Sequence, residues 1–273
     1  MRLERINQLE DPRVAAYRDV RDADLARRRG LFMAEGELVI RRLLRGELYR
    51  TQSLLLSESR LATMQDALDE ARPDLPVYIA SQEVMDQVVG FHIHRGALAA
   101  GERGRVPEAS ELISSLAPGS RTVLLLEDLA NHDNIGGVMR NALAFGVDAA
   151  LLTRRCCDPL YRKAIRVSVG AALDLPFAYV DSAKDGAALL RAAGFTTIAL
   201  TPSPDASELS EYAAGAASLD RVALLLGAEG PGLTPQTMQH ADVQARLAMA
   251  PGADSLNVAT ASGVALYALS CAR

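Results

Sequence analysis

Short apolar runs recur through the second half of the chain, at Thr122 to Leu126, Ala149 to Thr153, Phe177 to Val180, Thr196 to Leu200 and Val222 to Leu226. Text of helical period separates most of them, and strands alternating with helices predict a mostly parallel sheet covered on both faces. The front of the chain is less regular. Gln52 to Leu56 and Val77 to Ala80 read as short buried strands around a helix over Arg60 to Ala71. Leu38, Val39, Leu43 and Leu44, which follow Phe32-Met-Ala-Glu-Gly36, have the spacing of an amphipathic helix. Gly101 to Ser120 is rich in Gly, Pro, Ser and charge, the composition of a linker with a short helix inside. The expected organisation is a small α/β domain over residues 1–105 and a larger α/β domain over 106–273, with the linker at about 101–120.

Composition adds class and compartment. With 273 residues, 49% hydrophobic and 23% charged, the chain is neither a disordered polymer nor a disulfide-stapled miniprotein. Lys+Arg 29 against Asp+Glu 34 gives a net charge of −5, which neither announces nor excludes a nucleic-acid partner. The distribution says more: residues 1–50 hold 12 Arg and 9 acidic residues, so the positive side is at the front. Only Lys163 and Lys184 are lysine, and nearly every cation is a permanently charged planar guanidinium. Three cysteines, two of them adjacent (Cys156, Cys157), show no metal-ligand spacing and fit a reducing compartment. The opening MRLERINQLE has no apolar core, and no run approaches the roughly 18 apolar residues of a membrane span. A cytoplasmic protein is expected. His92 and His94 lack partners at ligand spacing, so no metal site is expected; His132 stands two residues before Asn134, and His240 reads as a surface residue.

Three segments carry chemistry. After the first strand of the regular half comes EDLANHDNIGGVMRNALAFG, where Asn134 suits an N-cap and Ile135, Val138, Met139, Ala142 and Leu143 make one apolar helical face. Arg140 lies off that face, and side chains of a helix lean over the preceding turn, here Gly136 and Gly137, so its guanidinium is uncrowded. Those glycines also allow a plain reading, close packing of an ordinary helix. The second segment, LLLGAEGPGLTPQTM, places three glycines and a proline within Gly227 to Gly232 directly after a buried strand, around Glu229. It is neither a Walker A loop nor a dinucleotide fingerprint. The third, ARLAMAPGADSLNVATASGVALYAL, is a helix with apolar positions Val258, Ala261, Ala265, Leu266, Ala268 and Leu269, which Ser255 or Asn257 can cap.

The order N-I-G-G-V-M-R-N-A-L-A-F-G, L-L-L-G-A-E-G-P-G-L and L-A-M-x(5)-S-L-N-V-A-T-A resembles the three motifs of the SpoU/TrmH-type RNA ribose 2′-O-methyltransferases of the SPOUT superfamily, over about residues 121–273. Arg166-Val-Ser168-Val-Gly170-Ala171 is similar to a further element of that family. Phe32-Met-Ala-Glu35-Gly36 and His94-Arg-Gly96-Ala-Leu-Ala99 resemble the start and end of its small N-terminal substrate-binding domain. One departure is Leu247-Ala248-Met249, where the family commonly has Ile-Pro-Met.

The resemblance implies a trefoil-knotted C-terminal sheet, whereas periodicity alone predicts a simple doubly wound one. It implies S-adenosylmethionine as cofactor, held by Leu226, Gly227, Glu229 and Gly230 in one loop, Leu247 and Met249 in the next, and Leu256 in the last. Arg140 would be the family's catalytic group, with Asn134, Glu229, Ser255 and Asn257 completing the catalytic set and no metal required. A charged guanidinium has no lone pair to accept a proton, so positioning the ribose hydroxyl and stabilising its developing charge is the cheaper role for Arg140. RNA, ribosomal or transfer, would be met by Arg27, Arg28, Arg29, Glu35, Arg140, Arg166 and Ser168, and a homodimer would form through the C-terminal domain. Two alternatives stay open at this point, a non-catalytic RNA-binding protein on the same scaffold and an RNA nucleobase methyltransferase.

Overall fold

Runs that are apolar at every position become strands buried on both faces, and they supply the centre of each sheet. The computed structural model describes residues 2–18, 22–89, 96–215 and 219–272. It divides into two units, residues 1–105 with 160–174, and residues 106–159 with 175–273. Residues 160–174, within the stretch 106–273 expected as the larger domain, pack with the first unit.

The first unit contains β1 (Arg2–Arg5), α1 (Asp22–Arg29), β2 (Leu31–Glu35), α2 (Glu37–Arg45), β3 (Thr51–Ser57), α3 (Glu58–Glu70), β4 (Pro76–Ala80), α4 (Gln82–Val89) and β5 (Ala97–Glu102). Its sheet has the order β1-β4-β3-β5-β2. The β3–β4 pair is parallel with α3 as its crossover, and β5 runs antiparallel between β3 and β2. Phe32 to Glu35, expected to lead into a helix, is itself a buried strand, and only from Glu37 does the helical face of Val39, Ile40 and Leu43 begin.

The second unit contains α5 (Ala109–Ser115), β6 (Arg121–Glu127), α6 (His132–Ala144), β7 (Ala149–Thr153), β8 (Phe177–Val180), α8 (Ala183–Ala192), β9 (Thr196–Leu200), β10 (Ser207–Glu208), α9 (Leu209–Gly215), β11 (Arg221–Gly227), α10 (Pro235–His240), β12 (Val243–Arg246) and α11 (Val258–Cys271); α7 (Arg162–Val167) belongs to the first unit. Seven strands form one sheet in the order β10-β12-β9-β11-β6-β7-β8, and every pairing is parallel. The linker is shorter than composition suggests. β5 runs to Glu102, and α5 buries Ala109, Leu112 and Ile113 in the core of the second unit.

Helices α6 and α11 pack against each other at their small residues. A Cβ on Gly137 would stand 2.6 Å from the Cβ of Ala259, and Asn141 Nδ2 donates to the Ala259 carbonyl at 2.6 Å and to Ser262 Oγ at 3.0 Å. Helix propensity alone makes Gly137→Ala stabilising by about 1 kcal/mol. The approach to Ala259 opposes it, since overpacking a closed interface costs about 1–3 kcal/mol. Gly137→Ala is therefore expected to lower stability in chemical denaturation, and adding Ala259→Gly is expected to recover it; a stabilised single variant would contradict this packing.

Candidate functional site

In a parallel sheet every strand ends on the same edge, and ligands of such sheets bind in a crevice outside those carboxyl ends. Here that crevice lies beyond β9, β11 and β12. It is a cleft of about 430 Å³, within the roughly 300–1,000 Å³ typical of small-molecule sites. Leu200, Thr201 and Pro202 line it after β9, Leu226 to Gly230 and Gly232 after β11, Leu247 and Met249 after β12, and Ser255 to Val258 with Ala261 at the start of α11.

Glycine shapes the second of these loops. A Cβ on Gly227 would lie 2.2 Å from the backbone of Gly232 and Leu233, so the chain can double back only there. The Gly232 N–H closes the turn on the Ala228 carbonyl at 3.0 Å. Gly230 (φ +86°) occupies the left-handed region, with open space where its side chain would be.

Asn257 draws the polar groups together. It is the N-cap of α11, its Oδ1 accepting from the N–H groups of Ala259 (2.9 Å) and Thr260 (3.3 Å). Its Nδ2 donates to Asn134 Oδ1 at 2.9 Å and to Glu229 Oε1 at 2.6 Å. Three of the predicted catalytic residues therefore form one connected group, although they are far apart in sequence. Ser255 is exposed on the cleft wall beside them.

The structure corrects the start of α6. Asn131 is its N-cap, accepting from the Asp133 N–H at 2.9 Å, and Asn134 is buried in the first turn with its side chain turned to Asn257. Arg140 is exposed on α6 and does not line the cleft. All seven predicted cofactor residues do line it, while Ala248, at the position of the family proline, is exposed and does not.

The predicted RNA-binding residues separate into two kinds. Arg27, Arg28 and Arg29 are exposed in the last turn of α1, and Arg166 is exposed in α7. Glu35 (7% exposed) and Ser168 (1%) are buried and cannot meet RNA directly. The Ser168 hydroxyl instead donates to the Ile165 carbonyl at 2.9 Å, and Glu35 faces Arg166 Nη1 at 3.7 Å. His92 and His94 lie outside the described residues. His240 is half-buried, with Nδ1 2.8 Å from the Gln236 carbonyl oxygen. Among the described residues no group of three or more His, Cys, Asp or Glu is placed to hold a metal ion.

The family model described as SpoU rRNA Methylase family matches residues 121–267, just over half of the chain. The chain belongs to the SpoU rRNA methylase family. A relative from Mycobacterium tuberculosis, named as an uncharacterized tRNA/rRNA methyltransferase, is 43% identical over 262 residues, covering 94% of this chain and 88% of its own length. The 23S rRNA (guanosine-2′-O-)-methyltransferase RlmB of Acinetobacter baylyi is 29% identical, covering 75% of this chain and 82% of its own. The fold is that of a Sinorhizobium meliloti rRNA methyltransferase solved with AdoMet bound, at TM-score 0.79 and 23% identity over 98% of this chain and 97% of that one.

Membership of the SpoU rRNA methylase family accounts for the cleft residues that carry motifs; others carry none. Leu200, Thr201 and Pro202 form a wall that the sequence motifs do not mark, and Thr-Pro directly after a buried strand is the available signal. Val258 and Ala261, expected as core positions of a helix, also face the cleft. If Asn257 is the joint of this SpoU site, Asn257→Asp keeps the helix cap, since Asp caps as well as Asn, but loses both donors and places a carboxylate against Glu229. Methyl transfer is expected to fall by about 10²-fold or more with little change in the thermal midpoint. Turnover near wild type would show that the amide donors are dispensable.

Proposed function

We propose that this protein transfers a methyl group from S-adenosylmethionine to a ribose 2′-hydroxyl of rRNA or tRNA. The observation that carries the reading is the Asn134–Asn257–Glu229 group at the mouth of an apolar cleft, in a chain of the SpoU rRNA methylase family. The cleft suits that cofactor. Leu226, Leu247, Met249, Leu256 and Val258 offer apolar walls, Leu256 is 41% exposed, and backbone at Gly230 and Gly232 is left bare. When bound, S-adenosylmethionine supplies an electrophilic methyl group on a sulfonium centre.

The chain's own residues must then make a weak nucleophile reactive. A ribose hydroxyl has to lose its proton during attack, and a positioned acceptor assists that loss. Glu229 fits the acceptor role, because Asn257 fixes one of its carboxylate oxygens at 2.6 Å and the other carries no hydrogen bond among the described residues. Arg140 orients the hydroxyl and stabilises negative charge as it develops, with a fork of donors that also grips phosphate.

Arg140 lies outside the cleft of its own subunit, and this supports a homodimer in which it serves the partner's cleft. Val264 (46% exposed) and Tyr267 (59% exposed) on α11, the helix packed on α6, give that pairing an apolar surface. In the first unit, Arg27, Arg28, Arg29 and Arg166 capture RNA phosphates, and the C-terminal thread forms the trefoil knot that the family resemblance implies. No described helix is long and apolar enough to cross a membrane, and the proposed site of action is the cytoplasm, where the RNA is.

The test is methylation of rRNA and tRNA by the full chain, followed by digestion to nucleosides. Methyl groups on ribose oxygens are expected; methylated bases, or cofactor binding with no transfer, would overturn the reading. Arg140→Ala is expected to slow single-turnover methylation by about 10²–10³-fold while cofactor affinity stays nearly intact, and Arg140→Lys is expected to rescue poorly because an ammonium has no fork. Light scattering is expected to give a dimer, and a monomer at micromolar concentration would remove the shared-site role of Arg140. Replacing Arg27, Arg28 and Arg29 by Ala is expected to flatten the salt dependence of RNA binding by about 0.7 in log K per log unit of salt for each phosphate that the variant no longer neutralises.

A further inference from the structure

Two acidic residues stand where the interior strand β6 ends, and each reaches a different loop of the site. Glu127 is buried, and its carboxylate accepts three hydrogen bonds from the start of α10. Oε2 accepts from the Thr234 N–H at 2.9 Å, and Oε1 from the Thr234 and Thr237 hydroxyls at 3.0 Å each. Thr234 directly follows the Gly227 to Leu233 loop. The near end of that loop is fixed as well, since Gly227 pairs with Glu127 in the β6–β11 register. Both ends of the cofactor loop are thus tied to one residue.

Asp128 serves the opposite side. Its φ of +59° puts a residue with a side chain in the left-handed region, a conformation that persists only where the surroundings over-determine it. The turn after β7 does so. The Asp128 N–H donates to Thr153 Oγ1 at 2.9 Å, and the same hydroxyl donates back to Asp128 Oδ1 at 2.8 Å. The Leu129 N–H donates to Cys156 Sγ at 3.3 Å, the Cys156 thiol donates to the Leu126 carbonyl at 3.3 Å, and the Cys157 N–H donates to the Leu129 carbonyl at 2.9 Å. Burial holds the Cys156 thiol above its ordinary pKa, so it stays protonated and keeps that donor. What these bonds hold is the segment running into Asn131 and Asn134.

We propose that Glu127 and Asp128 are a two-sided clamp, in which Glu127 sets the cofactor loop through Thr234 and Thr237, and Asp128, locked by Thr153 and flanked by the bonds of Cys156 to Leu126 and Leu129, sets Asn134. Neither lines the cleft, so both are positioning residues. The clamp rests on the methyl-transfer reading for its consequences, but its geometry is measurable without turnover.

The experiment compares Thr153→Val, Thr153→Ser, Thr237→Val and Thr237→Ser in the full chain by S-adenosylmethionine calorimetry, single-turnover methylation at saturating cofactor and RNA, and amide hydrogen exchange. Thr237→Val is expected to weaken cofactor binding by about tenfold with less than about threefold change in rate, and Thr153→Val to do the reverse. Each Ser variant retains the hydroxyl and is expected to restore the parameter that its Val counterpart loses. Exchange is expected to rise at residues 228–234 in Thr237→Val and at 128–134 in Thr153→Val, each without the other. If Thr153→Val does not fold, Cys156→Ala removes another bond of the same set and is expected to slow the rate in the same sense. Equal effects on both parameters, effects in the swapped sense, or no effect with exchange unchanged would overturn the clamp. Wild-type chain that binds the cofactor without methylating ribose overturns the functional reading alone, because exchange and affinity still decide the clamp.

Discussion

The side chain of Asn257 has no spare hydrogen-bonding capacity. A carboxamide offers two donor hydrogens and an oxygen with two lone pairs. The oxygen caps α11 at Ala259 and Thr260, and the nitrogen reaches Asn134 and Glu229. Turning the amide over would break all four bonds at once, so its orientation is settled by the set. Asn134 lies in the first turn of α6, Glu229 in the loop after β11, and Asn257 at the head of the last helix. The site exists only where those three segments are brought into register, and a shift of any one removes a donor from another.

Two constraints fix that register. The parallel sheet sends β9, β11 and β12 to the same edge, so their following loops converge without any need for long excursions. The α6–α11 packing fixes the height of Asn257 above Asn134, and small residues make it close, with Gly137 against Ala259 and Gly263 against Asn141. Bulk at any of these positions would press the two helices apart. Stability and site geometry are coupled at this helix pair.

Much of the second unit was legible in the sequence, for a physical reason. Strands such as Leu124 to Leu126 and Leu224 to Leu226 are buried on both faces, and unbroken apolar text of that length has few other uses. The last two strands at the β10 side of the sheet read poorly: Val243–Arg246 is only partly buried, and Ser207–Glu208 has two residues. The cap of α6 was misplaced because Asn131 and Asn134 are both good caps in isolation. What separates them is a hydrogen bond from Asn257, 123 residues away, which no local pattern records. Glu35 and Ser168 were legible as important but not as buried, since their partners lie in a segment that packs with the first unit against its sequence order. Wall residues such as Thr201 carry no motif and emerge only when the strand order is known.

The loops beyond β9, β11 and β12 are the proposed place where S-adenosylmethionine is held. Amide hydrogen exchange of the full chain with and without saturating S-adenosylmethionine tests it most directly, because it reads every loop at once and does not depend on knowing the RNA. Protection is expected at residues 200–202, 226–232, 247–249 and 255–258, the four stretches that contribute the lining of the cleft, with little change in the first unit or along β7 and β8. Protection centred outside those stretches, or binding that leaves them unchanged, would contradict it.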